Sequence, residues 1–159
     1  MKLARVARVI GIAIWLGAVM VPELSAQTNQ DWPTYAGDLA GNRYSKLTQI
    51  NTANVARLAP AWTYTLGAPG SEATPIVVNG RMYLPSGNSV VALDAETGQE
   101  IWKYPVGTSG ATSRGVAYWP GDETNSPRIL FTTGTKLAAL NANTGKLDAG
   151  FAKEGELNW

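Results

Sequence analysis

Cysteine and histidine are both absent from the 159 residues, only 16% of the chain is charged, and phenylalanine occurs twice. Without thiol or imidazole, zinc sites built on Cys and His, serine–histidine catalysis and cysteine nucleophiles are excluded from this chain. Disulfides are excluded as well, so the redox compartment cannot be read from them. The formal net charge is +1, with no block of basic residues, and nothing resembles a nucleic-acid-binding surface. Helical patterning is equally scarce. Beyond the first 26 residues the one candidate is a short turn over Asn51–Leu58, where Asn51 is placed to cap and Val55 and Leu58 lie three apart on one side.

What the chain does have is a phrase that it states twice. Val91-Ala92-Leu93-Asp94-Ala95-Glu96-Thr97-Gly98 returns as Ala138-Ala139-Leu140-Asn141-Ala142-Asn143-Thr144-Gly145, a spacing of 47 residues from Leu93 to Leu140. A period in the forties, made of short apolar runs and a glycine turn, is the mark of a radially repeated β-sheet unit such as a propeller blade. Ser89–Asp94 is apolar almost without a break, as expected of a strand covered on both faces. Thr97 can then bond the backbone and Gly98 can take positive φ, turning the chain into Gln99–Tyr104. In that segment Trp102 is placed to dock on the next blade, where full burial contributes roughly 1.5–3 kcal/mol.

Upstream, Thr74–Val78 and Arg81–Leu84 read as two strands joined at Asn79-Gly80, a strong hairpin signal. Downstream, Gly115–Trp119, Arg128–Thr133 and Lys136–Asn141 repeat the order of strand, strand, strand and turn. The second copy departs at its end. Asp148–Gly155 reads as an inserted loop rather than a closing strand, with Phe151 as a candidate for the docking role that Trp102 has in the first copy.

The first 26 residues are of another kind. Lys2, Arg5 and Arg8 precede an apolar run from Val9 to Val21, and small residues lead to a cut after Ala26, the pattern of a secretory signal peptide. An uncleaved anchor is the alternative, but the run is short of the roughly 20 residues of a spanning helix. Removing the leader leaves ten basic against eleven acidic residues, a net charge of −1. Residues 27–159 make about three blades at roughly 45 residues each, and a propeller closes with four to eight. The expectation is therefore an all-β partial propeller of two to three blades, the amino-terminal piece of a longer protein.

Trp32-Pro33-Thr34-Tyr35-Ala36-Gly37-Asp38 and Asn42–Asn51 resemble the opening of the pyrroloquinoline quinone (PQQ) dependent dehydrogenases. Leu58–Tyr64, Glu72–Pro75, Arg114–Asp122 and Ile129–Gly134 are similar to further landmarks in that family's order, and Ala92–Trp102 to its tryptophan-docking motif. The resemblance implies an eight-bladed propeller that holds PQQ beside calcium and oxidises an alcohol or a sugar in the periplasm, passing electrons to a cytochrome or quinone. It also implies that the calcium ligands and the catalytic aspartate belong to later blades, so no catalytic residue and no metal ligand is assigned to this chain. Asp94, Asn141 and Asp122 are oxygen donors, but each sits in turn chemistry that accounts for it.

Three residues are matched to the family's cofactor contacts. Arg114, in Arg-Gly-Val-Ala-Tyr-Trp, offers a bidentate fork to one of the three PQQ carboxylates. Glu72 precedes the Thr-Pro strand, and a carboxylate beside an anionic cofactor calls for a partner, so a Glu72–Arg114 pair is expected. Thr133, or its neighbour Thr132, falls where the family places a threonine, although the count through Lys136 is one residue short. At Thr108 and Ser109 some alcohol-oxidising members carry adjacent cysteines, and their absence argues against a methanol-type assignment. Glucose, quinate and broader alcohol or polyol members stay open. The alternative is a non-enzymatic propeller acting as an envelope assembly scaffold, since both classes share the blade phrase.

Overall fold

The computed structural model describes residues 31–67 and 71–158. The expected leader lies outside the described residues. The chain forms two four-stranded antiparallel sheets, one with the order β1 (Ile76–Val78), β2 (Arg81–Ser86), β3 (Ser89–Asp94), β4 (Glu100–Pro105) and one with the order β5 (Ala117–Trp119), β6 (Arg128–Thr133), β7 (Lys136–Asn141), β8 (Glu156–Asn158). Asn79 and Gly80 both take positive φ, 51° and 73°. That is the requirement of the two-residue hairpin whose twist suits the flanking strands.

The two sheets are stacked over one core. Tyr83 stands opposite Ala92, and Ala92 opposite Trp102. The alternation of strand side chains therefore puts Ile76, Tyr83, Val90 and Ala92 on the face that meets Ile129, Phe131, Ala138 and Leu140 of the second sheet. The other face of the first sheet carries Leu84, Val91 and Leu93, covered by Trp62, Tyr64 and Leu66. All of Ser89–Leu93 is thus buried, as expected of a strand with neighbours on both faces. In β6 only Ile129 and Phe131 are buried, alternating with partly or fully exposed residues.

Trp102 docks as expected. Its indole N–H donates to the Ala142 carbonyl at 3.0 Å, and its ring lies so close to Gly145 that a Cβ there would stand 2.5 Å away. Trp62 does the same at the first sheet, donating to the Ala95 carbonyl at 3.2 Å with its ring against Gly98. That earlier docking was not anticipated.

The expected loop after Gly145 is present, but a closing strand succeeds it. β8 pairs with β7 through Leu137 opposite Leu157. Arg128 fastens the loop. Its guanidinium donates to Asp148 and to the Asn125 side chain, 4.7 Å over Trp119 and 5.9 Å from Phe151. This donation holds the Asp148 carboxyl below its ordinary value against the opposing effect of burial. Phe151 is thus engaged by Arg128 on its own sheet. The turn expected over Asn51–Leu58 is a single 3-10 turn, Val55–Arg57, with Val55 and Leu58 exposed.

Antiparallel order divides the connections between two ends. One end, the turn end, holds Asn79-Gly80 and the Asp94–Gly98 and Asn141–Gly145 turns. The other, the mouth end, holds residues 71–75, Gly87-Asn88, residues 106–116 and Gly134-Thr135.

Candidate functional site at the mouth of the sheets

At the turn end the polar residues satisfy the backbone. The Asp94 carboxylate accepts from the Glu96 and Thr97 backbone N–H groups and from the Thr97 hydroxyl. The Asn141 side chain accepts from the Asn143 and Thr144 N–H groups. Asp122, nearby, accepts from the backbone of Thr124 and from both the backbone and the side-chain N–H groups of Asn125, and these bonds hold its carboxyl down at about 2. Each of these oxygen donors is engaged in a turn, as read from the sequence.

The mouth end is built differently. The Thr74 N–H donates to the Arg114 carbonyl at 3.2 Å, and the Thr112 N–H donates to the Thr132 carbonyl at 3.0 Å. These two bonds tie the connections that lead into β1 and β5 to each other and to the end of β6. Between them lies an open cavity of ≈ 530 Å³ whose lining includes Tyr35, Thr74, Ile76, Arg114, Val116 and Thr132.

Arg114 and Glu72 meet, with Arg114 Nη2 3.4 Å from Glu72 Oε2 and side chains 82% and 62% exposed. At that exposure the pair contributes under about 1 kcal/mol to stability. Its physical effect is to restrain the guanidinium at the cavity rim. Thr132 lines the cavity with Arg114, whereas Thr133, paired with Lys136 across the hairpin, is not in the lining. Tyr35, Thr74 and Thr112 were not singled out from the sequence. Among the described residues no group of three or more His, Cys, Asp or Glu side chains stands together as a metal site.

Residues 32–159 match the family of the β-propeller domain of PQQ glucose/ethanol/alcohol dehydrogenases. The chain is 42% identical to the quinohemoprotein alcohol dehydrogenase of Comamonas testosteroni over 133 residues, covering 77% of this chain and 18% of that protein. It is 37% identical to the quinoprotein glucose dehydrogenase of Escherichia coli K12 over 161 residues, covering 85% of this chain and 20% of that one. The crystal structure of the Comamonas testosteroni enzyme superimposes with a TM-score of 0.64 at 39% identity, over 77% of this chain and 19% of that chain. The chain thus spans about a fifth of the length of these curated relatives. Of the two readings the sequence left open, these relatives stand on the dehydrogenase side. Since the match runs through both sheets, both docking tryptophans and the Arg114 rim, the chain belongs to the PQQ dehydrogenase β-propeller family.

Proposed function

We propose that this chain forms part of the cofactor site of a PQQ-dependent dehydrogenase, exported to the periplasm, that oxidises an alcohol or a sugar. The observation that carries the reading is the Arg114–Glu72 pair at the rim of the mouth-end cavity. The residues fit the cofactor's chemistry. A planar tricarboxylate needs a bidentate cation, a hydroxyl and a flat apolar wall, and the cavity offers Arg114, Thr132 and the side chains of Ile76, Val116 and Leu130.

When bound, PQQ supplies the two-electron acceptor for the hydride leaving the substrate carbon, with the electrons passing on to a cytochrome or quinone. The work of this chain is positional. Arg114 binds a carboxylate with its fork, and Glu72 fixes the azimuth of that fork. The Thr74 bond to the Arg114 carbonyl keeps the two connections from separating. Glu72 beside an anionic ligand is a like charge, and Arg114 between them offsets the repulsion. Thr132 donates its hydroxyl from the end of β6, while the apolar walls displace water and strengthen the charged contacts.

The test is a titration with PQQ monitored by quenching of tryptophan fluorescence. Saturable binding that is lost in Arg114→Gln, with wild-type stability, is the expected result. Equal binding by wild type and Arg114→Gln would contradict the reading. The substrate class is then sorted by PQQ-dependent dye reduction with alcohols and aldoses in the protein that contains this chain.

A further inference from the structure

Tyr35 occupies an unusual position. Trp32 and Val77 exchange backbone hydrogen bonds at 2.7 and 2.9 Å, adding a short antiparallel pairing to the free edge of β1. Asp31 accepts from the Asn79 N–H at the turn end. The segment therefore runs from the turn end toward the mouth end and delivers Tyr35 into the cavity lined by Arg114. Its side chain nonetheless stays 62% exposed, with no hydrophobic cluster claiming the ring.

The loop after Tyr35 brings a cation back over its ring. Gly37 at φ +84° packs against the Trp32 ring, and Asp38 accepts from the backbone and side chain of Asn42. Arg43, itself at φ +53°, donates its N–H to the Ala36 carbonyl at 3.0 Å. The loop so closed sets the Arg43 guanidinium 5.1 Å from the Tyr35 ring centroid. Among the described residues the ion pairs are Arg114–Glu72, Arg128–Asp148 and Lys136–Glu156, and none uses Arg43. Tyr35 lines the cavity, and Arg43, whose guanidinium lies over the Tyr35 ring, is not among the lining residues.

We propose that Tyr35 is a ligand-contacting wall of this cavity and that Arg43 is its electrostatic backing, together selecting a flat, polyanionic aromatic ligand. This rests on the reading of the cavity as the PQQ site. A bare aromatic face carries negative quadrupole density and repels an anionic ring system. A guanidinium over the ring offsets that density and adds a second positive charge to that of Arg114. The arrangement would favour an aromatic polycarboxylate over an aliphatic one of equal charge, because only the former uses the ring.

The test titrates the whole chain with PQQ, read by tryptophan quenching and by the induced circular dichroism of the bound chromophore, and repeats it with citrate as an aliphatic tricarboxylate. Both side chains are exposed and outside the hydrophobic clusters, so the variants keep the fold, and far-UV spectra verify this. Tyr35→Phe is expected to bind as wild type, while Tyr35→Leu weakens PQQ about tenfold and abolishes the induced signal. Arg43→Gln is expected to weaken PQQ about threefold, with a smaller salt dependence than wild type. Citrate affinity should be unaffected by Tyr35→Leu. If Tyr35→Leu and Arg43→Gln both bind PQQ as wild type while Arg114→Gln does not, the proposal is overturned and the cavity reading stands. If wild type fails to bind PQQ, or Arg114→Gln binds it undiminished, the cavity reading fails and this proposal with it.

Discussion

The two ends of the sheets use polar residues for opposite purposes. At the turn end Asp94 and Asn141 commit their oxygens to neighbouring backbone N–H groups, and each turn is closed from outside by a tryptophan whose indole N–H reaches the Ala95 or Ala142 carbonyl. At the mouth end Arg114 and Glu72 remain largely exposed beside a cavity. A group whose bonding is complete within its own turn stabilises the fold, and one left facing a cavity is available to a ligand. Changes at the two ends should therefore separate stability from binding.

The largest expected effect tests the turn end. Trp102→Ala removes the ring that lies against Gly145 and 5.9 Å from Tyr83, and should lower stability by about 3 kcal/mol in urea unfolding. PQQ affinity per folded molecule should not change. Gly98→Ala and Gly145→Ala come next at about 2 kcal/mol each, because φ is +72° and +69° and the new Cβ meets a tryptophan ring. Unequal costs at these two glycines would break the claim that both turns are docked alike.

Arg114→Gln sharpens the contrast from the other side, weakening PQQ by about 2 kcal/mol in calorimetry. Its stability should stay within about 0.5 kcal/mol of wild type, the ion pair being exposed. Asp148→Asn should cost about 1.5 kcal/mol through the loss of the Arg128 bond. Because the folded Asp148 carboxyl titrates below its ordinary value, its contribution is present above about pH 3.9 and is lost as pH falls through the folded value. Melting temperatures of the variant should vary less with pH over that range.

The smallest effect is alkaline. Burial, together with donation to Glu100, pushes Tyr64 up to about 12. A raised value stabilises the neutral form, so its contribution is complete below about pH 10 and fades as pH rises through about 12. Tyr64→Phe should remove that alkaline sensitivity in a stability profile.

The turn end was legible because it repeats. Two matching phrases located β3 and β7, the apolar segment before the second phrase located β6, all with the bounds the structure shows, and the Asn79-Gly80 hairpin was evident from its turn residues. β8 was not legible, since Glu156–Asn158 is short, lies beyond a loop and acquires its register from β7. Trp62 was passed over as a docking residue because the segment that carries it forms no sheet of its own. At the mouth end, Arg114 and Glu72 came from resemblance, and the structure brings them together. Tyr35 could not be placed there, because its nearness to Arg114 depends on the Trp32–Val77 pairing between residues far apart in sequence. Thr132 rather than Thr133 lines the cavity, and a count one residue short could not tell the two neighbours apart.

Amide hydrogen exchange with and without PQQ reads both ends of the sheets in one experiment. Slowed exchange confined to residues 72–75, 112–116 and 132–135 is expected if PQQ binds at the mouth end. Protection concentrated in the 94–98 and 141–145 turns, with the mouth end unchanged, would contradict it.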